Sequence, residues 1–92
     1  MLHIVKSLAA LPTCLKQCEK QDQVLLIEEA CFALLVGEDD QDSKILDFNF
    51  SILRSDLEAR GLVEKYQLYQ SHIVDYNGML DLTAKHHPCL TW

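Results

Sequence analysis

Val24-Leu25-Leu26-Ile27 is the stretch that decides the fold. These apolar residues stand between Asp22-Gln23 and the acidic pair Glu28-Glu29. An uninterrupted apolar run of this length is typical of a strand that is buried on both faces, as in a parallel sheet. Parallel strands need crossover connections, so the flanking sequence should alternate between helix and strand.

The segment before this strand fits that alternation. Residues 2–5 form a short apolar run that ends at Lys6-Ser7, which predicts a first strand. Pro12 suits the first position of a helix, where a missing N–H breaks no hydrogen bond. We expect this helix to run from Pro12 to about Lys20, with Cys18 inside it on the apolar side.

The segment after it continues the alternation. Residues 30–36 predict a short helix that stops at Gly37, and an acidic loop follows at residues 38–43. Further on we predict a third strand at residues 48–53, followed by a helical turn at 56–60 with a Ser55/Glu58 capping box and a stop at Gly61. A fourth strand is predicted at 72–74. A last helix, capped by Asp75, should run from Tyr76 to about Lys85.

The third strand has a different pattern from the second. Its approach and body alternate between apolar Leu46, Phe48, Phe50 and Ile52 and polar Asp47, Asn49 and Ser51. A period of two predicts one covered face and one that this chain's own helices cover less well. The polar face is then open to solvent or to a partner.

The fold class that follows is α/β, with a mainly parallel sheet and right-handed crossovers. The chain has 92 residues, of which 49% are hydrophobic and 24% charged, so we expect a single domain over residues 1–92. In such sheets function gathers at the carboxyl ends of the strands. Those ends carry Lys6-Ser7, Glu28-Glu29, Arg54-Ser55 and Asp75-Tyr76.

Composition excludes several classes of function. The formal net charge is −6, and no cluster of Lys and Arg exists that could follow a phosphate backbone, so we expect no direct nucleic-acid binding. No apolar run approaches the ~20 residues that a membrane span needs, and the N-terminus lacks the flanks of a signal peptide. We therefore expect a cytoplasmic protein whose cysteines stay reduced, with a basic or neutral protein as partner.

The motifs of common enzyme classes are missing from the sequence. Ser7-Leu8-Ala9-Ala10 follows the first strand where a nucleotide site needs glycines, and Lys6 stands where a phospho-acceptor site needs acids. His3 and His72 begin strands, so we expect them at the opposite end of the sheet from any nucleophile, as hydrogen-bonded structural histidines. No cofactor is expected.

The four cysteines remain as candidates for chemistry: Cys14, Cys18, Cys31 and Cys89. Cys14 would be the third residue of the first helix, close to unpaired N–H groups and to Lys6 and Lys16. Such a site favours the thiolate, and a fall in pKa from about 8.5 to about 7 would make roughly half of the thiol a nucleophile. Cys14 is therefore the candidate reactive residue. The alternative is that its side chain only packs in the core.

The other cysteines are better explained without chemistry. We expect Cys18 and Cys31 to be core residues and Cys89 to be a tail residue. Cys14 and Cys18 could share a zinc ion with ligands from the tail, namely His86, His87 and Cys89, but the spacing is not that of a zinc knuckle. No metal is expected.

Three segments and the last residue together resemble the DsrH/TusB family of sulfur-relay proteins. They are Met1-Leu2-His3-Ile4-Val5, Asp56-Leu57-Glu58-Ala59-Arg60-Gly61-Leu62, Val74-Asp75-Tyr76-Asn77-Gly78-Met79-Leu80-Asp81-Leu82-Thr83, and Trp92. Their order and spacing carry the resemblance, which spans nearly the whole chain.

The resemblance implies a small flavodoxin-like, three-layer fold of the DsrE/DsrF/DsrH kind, with four to five strands and helices on both faces. It also implies a subunit of a TusBCD-type or DsrEFH-type complex, a dimer of heterotrimers with TusC- and TusD-like partners. In the Tus branch, persulfide sulfur passes from TusA through TusD to TusE and ends in the 2-thio group of the tRNA wobble uridine. The Dsr branch serves sulfur oxidation.

Two roles remain open within this family. Cys14 falls where DsrH-type members carry their cysteine, so the chain could itself carry a persulfide on Cys14. TusB-type members often have an apolar residue there, and the chain would then be a mainly structural subunit that self-associates when alone. Glu29-Ala30-Cys31 departs from the Asp-Gly-hydrophobe common in the family, and the first loop is shorter than in DsrH relatives.

Overall fold

A computed structural model describes residues 1–35 and 43–92 of the chain. The predicted helix stop at Gly37 and residues 38–42 of the predicted acidic loop lie outside these ranges. The strands are β1 (Leu2–Val5), β2 (Gln23–Leu26), β3 (Asn49–Leu53), β4 (Ile73–Val74) and β5 (Cys89–Thr91). The α-helices are α1 (Leu11–Gln17), α2 (Arg54–Ala59) and α3 (Tyr76–Lys85), and 3₁₀ helices span Leu8–Ala10, Glu28–Leu34, Ser43–Asp47 and Glu64–His72.

The strands form one all-parallel sheet in the order β4-β3-β2-β1-β5. β2 lies in the middle, between β1 and β3, and Val24, Leu25 and Leu26 are fully buried. Burial on both faces explains why this strand carries no polar residue after Gln23. The predicted parallel α/β fold with helices on both faces is therefore confirmed.

The two faces of the sheet are covered unequally. The connections from β1 to β4 each step to the next strand in one direction, whereas the connection through α3 returns to the far side of β1. Because crossovers are right-handed, the first three connections lie on one face and α3 on the other. The strand register assigns the side chains to these faces.

We call the two surfaces the helix-rich face and the α3 face. The helix-rich face consists of His3, Val5, Val24, Leu26, Phe50 and Ile52 and packs against α1, α2 and the 3₁₀ helices. The α3 face consists of Leu2, Ile4, Leu25, Ser51, Leu53 and Val74.

Several predicted boundaries were right. Asp75 caps α3 through a 2.7 Å hydrogen bond that it accepts from the Gly78 N–H, and the helix ends at Lys85. Gly61 follows α2 with a φ of +67°, the left-handed conformation that glycine adopts most easily. Ser51 lies on the sheet face with fewer helices, as its polar character predicts.

Other predicted boundaries were wrong. α1 ends at Gln17, so Cys18 is the extended residue after the helix and not a mid-helix residue. Leu46 and Asp47 belong to a 3₁₀ helix, not to the approach of β3. The tail is ordered as β5, which pairs with β1.

The predicted capping box at Ser55 is also absent from the structure. α2 begins at Arg54, directly after β3, so Ser55 is already helical and Leu53 is the residue before the helix. Glu58 pairs instead with Arg54, whose Nε lies 3.6 Å from its Oε2. The chain enters α2 two residues earlier than the sequence pattern indicates.

Candidate functional site: a buried thiol and histidine cluster

Two thiols meet where α1 ends. Cys14 lies on the inner side of α1 and is fully buried, while Cys18 follows the helix and is half-buried. Their Sγ atoms are 3.9 Å apart. Both are free thiols. The Cys18 N–H donates to Cys14 O at 3.0 Å, which keeps the first residue after α1 next to Cys14.

His3 lies next to these thiols, in the amino-terminal half of β1. One ligand atom from each of His3, Cys14 and Cys18 can be chosen so that all lie within 4.8 Å of one another. His3 does lie at the edge of the sheet where the strands begin, as predicted, but the thiols of Cys14 and Cys18 lie close to it there. α1 runs back from the carboxyl edge of the sheet, so its later residues return to the edge where β1 begins.

The hydrogen bonds of His3 fix its tautomer. The Trp92 Nε1–H donates to His3 Nδ1 at 3.0 Å, so Nδ1 must carry a lone pair. Nε2 lies 3.0 Å from Asp22 Oδ2 and therefore carries the proton that it donates to this carboxylate. His3 is 1% exposed, and the prediction that it is a hydrogen-bonded structural histidine is confirmed.

The Asp22 carboxylate bonds both to His3 and to the N-terminal amine. It accepts hydrogen bonds from the Glu19 N–H at 3.1 Å and from the N-terminal amine of Met1 at 3.4 Å. Burial raises the pKa of the Asp22 carboxyl, but the hydrogen bonds from Glu19, His3 and the amine lower it by more. The net pKa lies below the usual range, so this carboxylate is charged at neutral pH.

The contact between Asp22 and the start of β1 has a signal in the sequence. Asp22 precedes β2 just as Met1 precedes β1, and parallel neighbours begin at the same edge. The Gln23 N–H donates to Met1 O at 3.0 Å and sets this register. Trp92 is 89 residues from His3 along the chain, and no local pattern links the two.

The environment of Cys14 is the reverse of the one predicted. Burial raises the pKa of its thiol far above the ordinary value, and Cys18 and Asp22 raise it further. Lys6 and Lys16, which were expected beside it, are not among the groups that shift this pKa. Burial also raises the pKa of Cys18. Both thiols are thus protonated at neutral pH, and the predicted fall in the Cys14 pKa is wrong.

An open pocket of about 770 Å³ borders this cluster. Cys18 lines it together with Pro12, Leu15, Lys16, Lys20, Asp47 and Phe48, whereas Cys14 does not. Cys18 is therefore the thiol of the pair that a molecule in the pocket meets first. Lys16 and Lys20 give the pocket a positive side.

The remaining cysteines lie apart from the cluster. Cys31 is fully buried, its Sγ donates to Leu26 O at 3.7 Å, and burial raises its pKa to about 12. Cys89 is exposed on the edge strand β5, with its Sγ 3.6 Å from His86 O. The prediction of a core residue agrees with the position of Cys31, whereas Cys89 belongs to a strand of the sheet and not to a free tail.

The carboxyl edge of the sheet holds a separate set of polar contacts. Glu28 has a positive φ of 51°, and its N–H donates to Asp56 Oδ2 at 2.8 Å. A smaller pocket of about 400 Å³ lies nearby, lined by Arg54, Ile73, Val74, Asp75 and Gly78. Neither of these places contains a cysteine.

His72, the histidine that comes directly before β4, forms a hydrogen bond through Nδ1 with Phe50 O at 2.9 Å.

Within residues 1–35 and 43–92, none of the helices combines the length and the apolar character needed to cross a bilayer.

Comparison with known proteins gives a consistent result. A family model described as "DsrH like protein" matches residues 6–89. "Protein TusB" of Pectobacterium parmentieri is 32% identical over 96 aligned positions that cover all of both chains. "Protein TusB" of Pectobacterium atrosepticum is 36% identical over 91% of this chain and 88% of its own length. "Protein TusB" of Serratia proteamaculans is 31% identical over 89% and 86%, respectively.

Proposed function

We propose that this chain, which belongs to the DsrH/TusB family, is a mainly structural subunit of a cytoplasmic sulfur-relay complex. The complex passes persulfide sulfur toward 2-thiolation of the tRNA wobble uridine. Its partners are TusC- and TusD-like subunits in a dimer of heterotrimers, with TusA- and TusE-like proteins as donor and acceptor. The chain contacts neither the tRNA nor a membrane.

The burial of Cys14 is the observation that carries the structural role. A persulfide carrier exchanges sulfur by attack of a thiolate on a sulfur atom of another protein, so its thiol must be both ionised and reachable. Cys14 is 0% exposed, and its pKa is raised by that burial. A sister subunit with an accessible cysteine is the better carrier.

The outer side of α3 supports a role in assembly. None of the residues of α3, all of which the structure describes, is fully buried against the sheet. Tyr76 and Leu80 are 63% and 45% exposed and lie one helical turn apart, on the same side. Apolar side chains in such an arrangement contribute most when a partner covers them.

The test of the structural role is a loading experiment on the assembled complex. The complex is incubated with a persulfide donor, and each cysteine is mapped by mass spectrometry for the added mass of one sulfur atom. We expect a cysteine of the TusD-like subunit to be loaded and Cys14 to stay unmodified. A Cys14→Ser variant should support full tRNA 2-thiolation.

The alternative is a persulfide carrier that uses Cys14, in tRNA thiolation or in Dsr-type sulfur oxidation. The 3.9 Å between the Cys14 and Cys18 Sγ atoms favours it, because Cys18 borders the pocket and could pass sulfur inward. Sulfur found on Cys14, and thiolation lost in both Cys14→Ser and Cys18→Ser but not in Cys89→Ser, would establish the carrier and refute the structural role.

Assembly is tested by co-purification with the TusC- and TusD-like subunits. We expect the double variant Tyr76→Ala, Leu80→Ala to recover less of both partners. Leu68→Ala is the matched control, because Leu68 is 92% exposed but lies in the 3₁₀ helix Glu64–His72, on the other side of the sheet. Equal recovery in all three proteins would exclude α3 as the contact surface.

A further inference from the structure

We propose that His3, Cys14 and Cys18 form a binding site for Zn²⁺ on the helix-rich face, with Asp22 orienting the histidine. This proposal concerns a metal site and does not rest on the sulfur-relay role. It also differs from a site that combines the two thiols with the tail, because His3 supplies the nitrogen ligand.

The separation of the thiols fits two ligands of one zinc ion. Zn–S bonds of about 2.3 Å in a tetrahedral site hold two sulfur atoms roughly 3.8 Å apart. The Cys14 and Cys18 Sγ atoms are 3.9 Å apart before any ion is added. The ligand atoms of all three residues already lie within 4.8 Å of one another, so small side-chain movements bring them into coordination range.

His3 is oriented as zinc-bound histidines usually are. Such histidines donate their second N–H to a carboxylate, which fixes the tautomer and strengthens the ligand. His3 Nε2–H donates to Asp22 at 3.0 Å and leaves the lone pair on Nδ1. Asp22 is itself held by the Glu19 N–H and the Met1 amine.

Zinc bound through His3 Nδ1 would compete with Trp92 for the lone pair on that nitrogen. The Trp92 indole N–H donates to Nδ1 at 3.0 Å, so zinc binding exchanges this hydrogen bond for a Zn–N bond. Trp92 is partly exposed, although its backbone is held by hydrogen bonds to Ile4 and Lys6, so only its side chain has to move. The two thiols lose their protons to solvent as two Zn–S bonds form.

Three protein ligands leave one position of a tetrahedral ion for water or for an incoming ligand. Cys18 borders the 770 Å³ pocket, which supplies the way in. Cys89 does not take part, because it lies in β5 with its side chain toward the α3 face.

The experiment uses Co²⁺ as a coloured substitute for Zn²⁺ on the full chain under reducing conditions. We expect one Co²⁺ per chain, an intense near-ultraviolet absorption from thiolate-to-cobalt charge transfer, and displacement by Zn²⁺, which binds such sites more tightly. The chain has a single tryptophan, so its fluorescence should change with the same titration midpoint.

Variants locate the ligands. Cys14→Ser and Cys18→Ser should each weaken binding by more than the ~10–100-fold that loss of an outer-shell partner costs, and Asp22→Asn should fall within that range. Cys89→Ser is the matched control and should bind as the parent does. Trp92→Phe, which lacks the competing N–H, should bind at least as tightly as the parent.

Cys18 is only half-buried, so Cys18→Ser should disturb the fold less than Cys14→Ser does. Circular dichroism checks that each variant is folded. Absence of the charge-transfer band from the parent protein would overturn the proposal. A band unchanged in Cys18→Ser, or lost in Cys89→Ser, would do the same.

Discussion

The two faces of the sheet differ in what covers them. On the helix-rich face, side chains of the strands pack with α1, α2 and the 3₁₀ helices into one continuous core, which includes Cys14, Cys31 and Tyr66. On the α3 face a single helix covers the strands, and none of its described residues is fully buried. Leu2 and Leu25 are fully buried on the α3 face too, so the difference lies in the covering helix, whose own apolar side chains stay partly exposed.

This asymmetry follows from the order of the strands. Three successive crossovers step in one direction and stack their helices on one side, and only the return to β5 places a helix on the other. All three buried or half-buried cysteines near α1 and β2 are on the better-covered side. The sulfur atoms of the core are therefore shielded by the same packing that stabilises the fold.

The largest expected effect contrasts two neighbours on β3. Ile52 is fully buried on the helix-rich face, and Leu53 is 9% exposed on the α3 face. Truncation of a buried aliphatic side chain to alanine costs about 2–5 kcal/mol, and most where the surroundings cannot collapse. We expect Ile52→Ala at about 4 kcal/mol and Leu53→Ala at about 2 kcal/mol, measured by urea unfolding. Equal losses of unfolding free energy in the two variants would show that both faces are packed equally well.

The next effect concerns Asp22, which bonds to His3 at the edge of the helix-rich face. Asp22→Asn keeps the shape but removes the charge that accepts bonds from His3 and the Met1 amine. Hydrogen bonds to charged groups contribute about 1.5–3 kcal/mol, so we expect a loss of about 2 kcal/mol at pH 7. Asp81→Asn is the matched control, because it makes the same chemical change at an exposed position of α3, and it should be close to neutral.

The same variant has a predicted pH dependence. The folded-state pKa of Asp22 is lowered, so its charge stabilises the fold above the unfolded pKa of about 3.9 and ceases to do so as pH falls through the folded pKa. The gap in unfolding free energy between the parent and Asp22→Asn should be full at pH 7 and should shrink below about pH 4. A gap that is constant down to pH 2.5 would contradict this account.

The elements of the fold were predictable where local signals were strong. β2 has an unbroken apolar run, and α3 has the cap residue Asp75 at its start. The end of α1 was not predictable, because neither glycine nor proline marks it after Gln17. β5 is a short exposed edge strand whose pairing with β1 is a long-range contact.

The candidate site was predictable only in part. The spacing of four residues indicated that Cys14 and Cys18 are neighbours, although Cys18 follows the helix and does not lie in it. The pKa of Cys14 was predicted in the wrong direction, because the helix-terminus argument needs a thiol near exposed N–H groups. Burial is a tertiary property, and here desolvation outweighs any help from the helix. The contact of His3 with Trp92 likewise depends on the whole sheet.

A smaller effect tests how closely α3 sits on its face. A Cβ added to Gly78 would lie 3.0 Å from the Cβ of Val74 in β4. Alanine gains about 1 kcal/mol in helix propensity but must push the helix outward, at roughly 1–3 kcal/mol. We expect Gly78→Ala to lose about 1 kcal/mol in urea unfolding. Asn77→Ala, at an exposed position of the same helix, should be neutral or stabilising, and a gain in both variants would show that α3 is loosely docked.

The smallest effect belongs to the outer side of α3. Leu80 is 45% exposed, and alanine has a helix propensity at least as favourable, so Leu80→Ala should change the unfolding free energy of the isolated chain by no more than about 0.5 kcal/mol. The physical reason is that this side chain has little apolar surface to lose within its own fold. Urea unfolding of the isolated chain, beside that of Ile52→Ala, gives the contrast directly. A loss above about 2 kcal/mol would mean that Leu80 stabilises the subunit itself, and the α3 face would then be part of the core and not a surface kept for a partner.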